Sequence, residues 1–283
     1  MTARYRIDHR TTYTYDHAVT SSFNEVRLTP GARPWQTPLE SVLRVEQATW
    51  QHRFVDYWGT EVRAVEAHTT HRELVIDMTS LVEVDASRRD PVAEGLSWDD
   101  LSDFTLRQDL SEFLALTGST RPPEDLARLA RQIADGSPPH RSALAIASAV
   151  HEAMTYVPGS TGVQTPAADA WLARTGVCQD YAHLVVGALR HVGIPARYVS
   201  GYLHPVPDPA IGEISVAESH AWVQFWSGGW VDNDPTNLAD VGERHVLVGT
   251  GRDYQDVPPI KGIVAGTPLT TDLQVEVAIT RVG

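Results

Sequence analysis

Cysteine is almost missing from this 283-residue chain, which carries one, Cys178. No intramolecular disulfide can form, and no cluster of thiolates can hold zinc or iron–sulfur. Positive charge is scarce as well: 23 Lys and Arg stand against 36 Asp and Glu, a net charge of −13 with a pI near 5.3. A surface this acidic repels phosphate backbones, which argues against nucleic acid as a general partner. Apolar runs all fall short of the roughly 20 residues that cross a bilayer, so no membrane span is expected. Met1 to Tyr15 alternates polar and apolar residues and lacks the apolar core of a secretion signal, which points to the cytoplasm. Repeats and low-complexity tracts are missing too. What is present, 42% hydrophobic and 21% charged residues, is ordinary for a globular chain. Its length suits one large domain or two modest ones.

The first stretch reads as short strands. Tyr5 to His9, Thr11 to Tyr15, Val42 to Val45, Glu61 to Val65 and Leu74 to Ile76 are rich in β-branched and aromatic residues with period-two alternation. Turn signals at Thr29-Pro30-Gly31 and Tyr57-Trp58-Gly59 separate them, which suggests an antiparallel sandwich or partial barrel. His68 and His71 have the spacing of helical metal ligands. In a strand, positions three apart face opposite sides, so a surface pair is expected instead.

Ser87-Arg88-Arg89-Asp90-Pro91 reads as a boundary loop, and beyond it the period lengthens. Leu126, Leu129, Ala130 and Ile133 recur at helical spacing after Pro122-Pro123-Glu124-Asp125, and Gly136 to Pro139 ends that helix. Ser142 to Tyr156 reads as a second helix, with Leu144, Ala147, Ala149, Val150 and Met154 on its buried face. Near the end of the chain, Leu273 to Ile279 alternates strictly and reads as a strand.

The chemistry concentrates further on. Gly176-Val177-Cys178-Gln179-Asp180-Tyr181-Ala182-His183 places a glycine turn just ahead of the cysteine. Tyr181, Val185, Ala188, Leu189 and Val192 then mark one face of a helix, closed by Gly193 and Ile194-Pro195. Cys178 therefore sits at a helix N-terminus, where free N–H groups and the dipole stabilise a thiolate and could stabilise an oxyanion. A lone cysteine is otherwise most often a small buried hydrophobe. Asp180 is expected to accept a hydrogen bond within that first turn, without a catalytic role.

Ala196 to Leu203 reads as a strand, and His204 to Glu218 as a polar, proline-rich excursion. Ser219 to Trp226 alternates, with His220, Trp222, Gln224 and Trp226 on one face, then turns at Ser227-Gly228-Gly229 and returns through Trp230 to Asp234. This is a hairpin signature. A three-residue loop pairs Trp226 with Trp230 and puts Asp234 diagonal to His220 on the same face. Asp232 has the same parity, so geometry alone leaves both acids open. A carboxylate beside a histidine fixes its tautomer, and such a histidine can activate a thiol.

These motifs, with Gly193-Ile194-Pro195-Ala196-Arg197-Tyr198, His220-Ala221-Trp222-Val223, Asp234-Pro235-Thr236-Asn237 and Gly251-Arg252-Asp253-Tyr254, resemble the bacterial transglutaminase-like family from about Tyr156 to Asp256. Ile7-Asp8-His9 and Thr12 to Tyr15 resemble its β-rich N-terminal domain. The resemblance implies an α+β fold, with an antiparallel β domain ahead of a papain-like core. We divide the chain accordingly into residues 1–88, a helical connector 89–140, a catalytic core 141–260, and a strand within 261–283 that returns to the fold. The resemblance further implies a catalytic triad of Cys178 as nucleophile, His220 as base and acid, and Asp234 as orienting carboxylate, preferred over Asp232 because the family's acid precedes the proline. Asn233 departs from the bulky apolar residue expected there.

The implied activity is acyl transfer or hydrolysis at a carboxamide or peptide bond through a thioester, with no cofactor and no metal. The substrate is a peptide or small amide, with an amine as alternative acceptor. Tyr156 and Gln164 are candidate second oxyanion donors. A metal hydrolase is disfavoured, because His183, His191, His204, His220 and His245 lack compact ligand spacing and the first two are expected on a solvated helix face. A non-catalytic peptide-binding scaffold is the remaining alternative.

Overall fold

The computed structural model describes residues 2–89, 95–217, 219–266 and 270–283, so Asp90 and Pro91 of the boundary loop and Glu218 lie outside the described residues. Alternation in the first residues produces one long strand where two short ones are expected. In β1 (Thr2–Val19), Ala3, Tyr5, Ile7, His9 and Thr11 are buried while Arg4, Arg6 and Arg10 are exposed. It is followed by β2 (Ser21–Val26), β3 (Gln36–Val45), β4 (Trp50–Val55), β5 (Glu61–Ala67) and β6 (His71–Asp85). The helical part contains α1 (Trp98–Leu101), α2 (Phe104–Asp109), α3 (Glu124–Ala134) and α4 (Pro139–Ala153). Next come β7 (Thr155–Tyr156), α5 (Ala167–Ala173), β8 (Thr175–Gly176) and α6 (Cys178–His191). The remaining strands are β9 (Ala196–Leu203), β10 (Ile214–Ala217), β11 (Ser219–Trp226), β12 (Trp230–Asn233), β13 (His245–Gly251), β14 (Ile260–Ala265) and β15 (Thr270–Arg281).

Three larger sheets form, all antiparallel. Their orders are β10-β15-β1-β6-β3, β14-β2-β5-β4 and β12-β11-β9-β13. Tyr15, Val19, Val26, Val65, Leu74 and Ile76 fill the space between the first two, giving the expected sandwich. Further along the same face of the five-stranded sheet, Tyr5, Ile7, Val82 and Ile279 pack on Tyr202, Val246 and Val248 of the third sheet. At the other end of β9, Ala196, Tyr198, Ala221, Val223 and Phe225 pack on α6 and the helices around it. The fold is thus α+β, with β14 and β15 supplied to the N-terminal sheets from the far end of the chain.

Several local expectations need correction. The second helix runs from Pro139 to Ala153, because proline suits a first helical position, and Met154 is already extended. Its buried face holds Ala143, Ile146, Ala147 and Val150, whereas Leu144 is exposed. His71 is buried, with Nδ1 bonded to the Thr69 carbonyl, so it does not form a surface pair with exposed His68. His183 is also buried, because every residue from Gln179 to Arg190 is covered and α6 has no solvated face. The polar excursion contains the strand β10, which pairs with β15.

Candidate active site

The turn that presents Cys178 is built by Asp180. The Asp180 carboxylate folds back so that Oδ2 accepts the Val177 N–H at 2.8 Å and the Thr161 hydroxyl at 2.5 Å. A Cβ on Gly176 would come within 2.8 Å of the Asp180 Cβ, so glycine is required there for close approach and its φ is not positive. Cys178 then opens α6 and is partly exposed, while Gln179 to Arg190 are buried. Its N–H lies in the first turn, where no intrahelical acceptor exists.

Across the site, β11 and β12 pair Trp226 with Trp230, the register of a three-residue loop. The ladder stops at Asn233, which faces Val223 and is half-buried, and the two acids separate there. Asp232, still inside the ladder opposite Gln224, accepts the Trp222 indole N–H and the Gln224 amide at 2.8 Å each and pairs with Arg89. Asp234, one step past the ladder, accepts from His220 Nε2 at 2.8 Å. Trp222 stacks on the His220 ring at 6.1 Å between centroids. His220 also hydrogen-bonds Cys178, and with Nε2 committed to the acid, Nδ1 is the atom left for the sulfur.

Five donors converge on Asp234. Oδ2 accepts from His220, from Asn237 Nδ2 at 2.9 Å and from His245 Nε2 at 3.2 Å. Oδ1 accepts the Thr236 and Asn237 N–H groups at 3.0 and 3.2 Å. His151 on α4 tethers the same turn by donating from Nδ1 to the Pro235 carbonyl at 2.9 Å. Burial alone would push the Asp234 carboxyl up, but these hydrogen bonds and the adjacent imidazole carry it far below the ordinary carboxylate range. His220 shows the reverse balance. Burial would depress it, yet its bonds to Asp234 and Cys178 raise it to about 10, so the ring holds two protons through neutral pH.

His245 was passed over in the sequence for want of ligand spacing, but the fold delivers it. It begins β13, two strands from β11, and lies edge-on to Trp222 at 5.4 Å. One ligand atom each from His220, Asp234 and His245 lie within 4.8 Å of one another, the only such group among the described residues. Hydrogen bonds from both rings to Asp234 already account for this convergence. Of the candidate oxyanion donors, Gln164 accepts from Gln255 at 3.5 Å and Tyr156 packs on Tyr181 at 6.5 Å.

A helix that starts at a cysteine, packed on an antiparallel sheet whose hairpin joins a histidine to an aspartate, is the layout of a transglutaminase-like core. Residues 127–235 match the transglutaminase-like superfamily, and residues 5–83 match the bacterial transglutaminase-like N-terminal region. The chain belongs to this superfamily. An uncharacterized protein of Mycobacterium leprae is 41% identical over 98% of this chain and 99% of its own length. A Pseudomonas aeruginosa protein-glutamine gamma-glutamyltransferase is 31% identical over 44% of this chain, a segment that is 20% of that protein. A solved Cytophaga hutchinsonii structure, described as a candidate cysteine protease, superposes with a TM-score of 0.76 over 99% of this chain and 98% of its own. At 22% identity it shows a shared fold.

Proposed function

We propose that the chain performs cysteine-dependent acyl transfer or hydrolysis at a carboxamide or peptide bond. The observation that carries this reading is the continuous contact from Asp234 through His220 to Cys178 at the start of α6. The Cys178 sulfur attacks the carbonyl carbon, and the carbonyl oxygen takes the charge near the Cys178 N–H. The C–N bond breaks as His220 gives its proton to the departing amine, leaving a thioester and a neutral ring. His220 then takes a proton from water or an amine as that acceptor attacks the thioester carbon, and the sulfur leaves as the thiolate. Asp234 holds the ring by Nε2 throughout, so the other nitrogen stays aimed at the reacting atoms. Peptides or small amides are the substrates, and the acceptor decides between hydrolysis and transamidation. We place the reaction in the cytoplasm, where a lone thiol stays reduced.

Iodoacetamide labelling followed by intact mass, from pH 5 to 9, tests the site because the chain has one thiol. Fast labelling that persists at pH 5 to 6 and is lost in His220→Ala is the expected result, with ammonia release from glutamine peptides abolished by Cys178→Ala. Slow labelling that ignores His220 would leave Cys178 a packing residue and favour the scaffold alternative.

A further inference from the structure

His245 is almost fully buried, at 1% exposure, and its two nitrogens differ. Nε2 lies 3.2 Å from Asp234 Oδ2, while Nδ1 has no hydrogen-bond partner among the described residues. A neutral imidazole carries one N–H, and the carboxylate is the acceptor within reach, so the proton belongs on Nε2. Burial pushes the ring's pKa down, which keeps it neutral beside the charged His220. The titratable or charged groups that face it are Asp234, His220 and Arg244. Its strand lies on the opposite side of β9 from β11, and the two rings meet at the same oxygen of Asp234.

We infer that His245 is a positioning residue: its Nε2–H holds Asp234 Oδ2 in the orientation that keeps His220 aligned on Cys178. The inference rests on the acyl-transfer reading of Cys178, His220 and Asp234. Without this donor the carboxylate turns toward its remaining partners at Thr236 and Asn237, and the contact with His220 loosens. His220 then holds its second proton less well. A packing role alone would lower stability and leave the pH behaviour of the thiol unchanged.

The test compares iodoacetamide labelling of Cys178 from pH 5 to 9 in the wild type, His245→Leu and His245→Gln, with thermal melts alongside. Losing one charge-assisted hydrogen bond should move the labelling midpoint in His245→Leu upward by about 1 pH unit and slow labelling at pH 5.5 about tenfold. His245→Gln returns an N–H donor and should recover at least half of that shift. A Leu profile that coincides with the wild type, or moves downward, overturns the inference. Should the Leu variant fail to fold, 15N-histidine NMR of the wild type decides. A neutral Nε2–H tautomer for His245 from pH 5 to 8 is required, and an Nδ1–H tautomer or a protonated ring refutes it. Wild-type labelling that ignores His220 would sink the acyl-transfer reading instead, while the NMR result still reports on the His245–Asp234 contact.

Discussion

Gly187 lies in the middle of α6, where helix propensity and packing make opposite demands. In an open helix, Gly→Ala stabilises by about 1 kcal/mol. Here a Cβ would sit 1.7 Å from the Thr120 carbonyl oxygen and 2.9 Å from its carbon, about half an ordinary contact distance. Both obstacles are backbone, so no side-chain rotation relieves them. The turn at Thr117–Thr120 is held by its own hydroxyl hydrogen bonds, and α6 is buried along its length, so either element can yield only by opening gaps elsewhere. Overpacking of this severity costs about 3 kcal/mol or more. The net expectation for Gly187→Ala is therefore a loss of about 2 kcal/mol, opposite in sign to propensity. Urea unfolding followed by tryptophan fluorescence reads this directly. Because α6 begins at Cys178, the same variant should label more slowly with iodoacetamide at pH 6. A midpoint equal to or above the wild type would refute the close approach of α6 to Thr120.

The two acids of the hairpin should separate in their effects. Asp232→Ala strands the Trp222, Gln224 and Arg89 donors and should cost about 3 kcal/mol while leaving the pH profile of Cys178 labelling in place. Asp234→Asn should instead remove labelling at pH 5 to 6, and equal profiles for the two variants would contradict the assignment. Acid sensitivity should trace in part to His9, which bonds Tyr202 and Thr11 and is pushed by burial down to about 4. The unfolded ring takes its proton near pH 6.5 and the folded ring does not until about 4, so stability falls as pH drops through that window by about 1.4 kcal/mol per unit. His9→Gln should remove that slope in urea titrations at pH 6.5, 5.5 and 4.5. A chelator such as EDTA should leave Cys178 labelling and ammonia release intact, and loss of activity restored by zinc would revive a metal mechanism at His220, Asp234 and His245.

Strands that bury one face were readable from alternation, as in β1, and so was β11, which alternates in sequence although both its faces are buried. β13 was not, since His245 to Gly251 is buried on both faces and shows no period of two. β4 was missed for the opposite reason: all six residues from Trp50 to Val55 are exposed on a sheet edge. In the site, Cys178 and His220 stood out through the helix start and the hairpin. The division of labour between Asp232 and Asp234 was hidden because both share a parity, and it is set by where the ladder ends. His245 has no local spacing to either partner and reaches them only through the pairing of β13 with β9 and β9 with β11. A histidine opening an apolar run was the one local hint.

The pairing of β1 with β15 has a consequence for how the molecule is made. Tyr5 and Arg281 are register partners, so β1 is synthesised long before the strand it pairs with. Cys178, His220 and Asp234 are all synthesised before the five-stranded sheet can close, and until then the edges of β1 and β10 that β15 will join stay open to misjoining. A premature stop within β15 would not trim an edge. It would take the strand between β1 and β10 and leave a nascent chain with Cys178, His220 and Asp234 in place but its sheet unclosed.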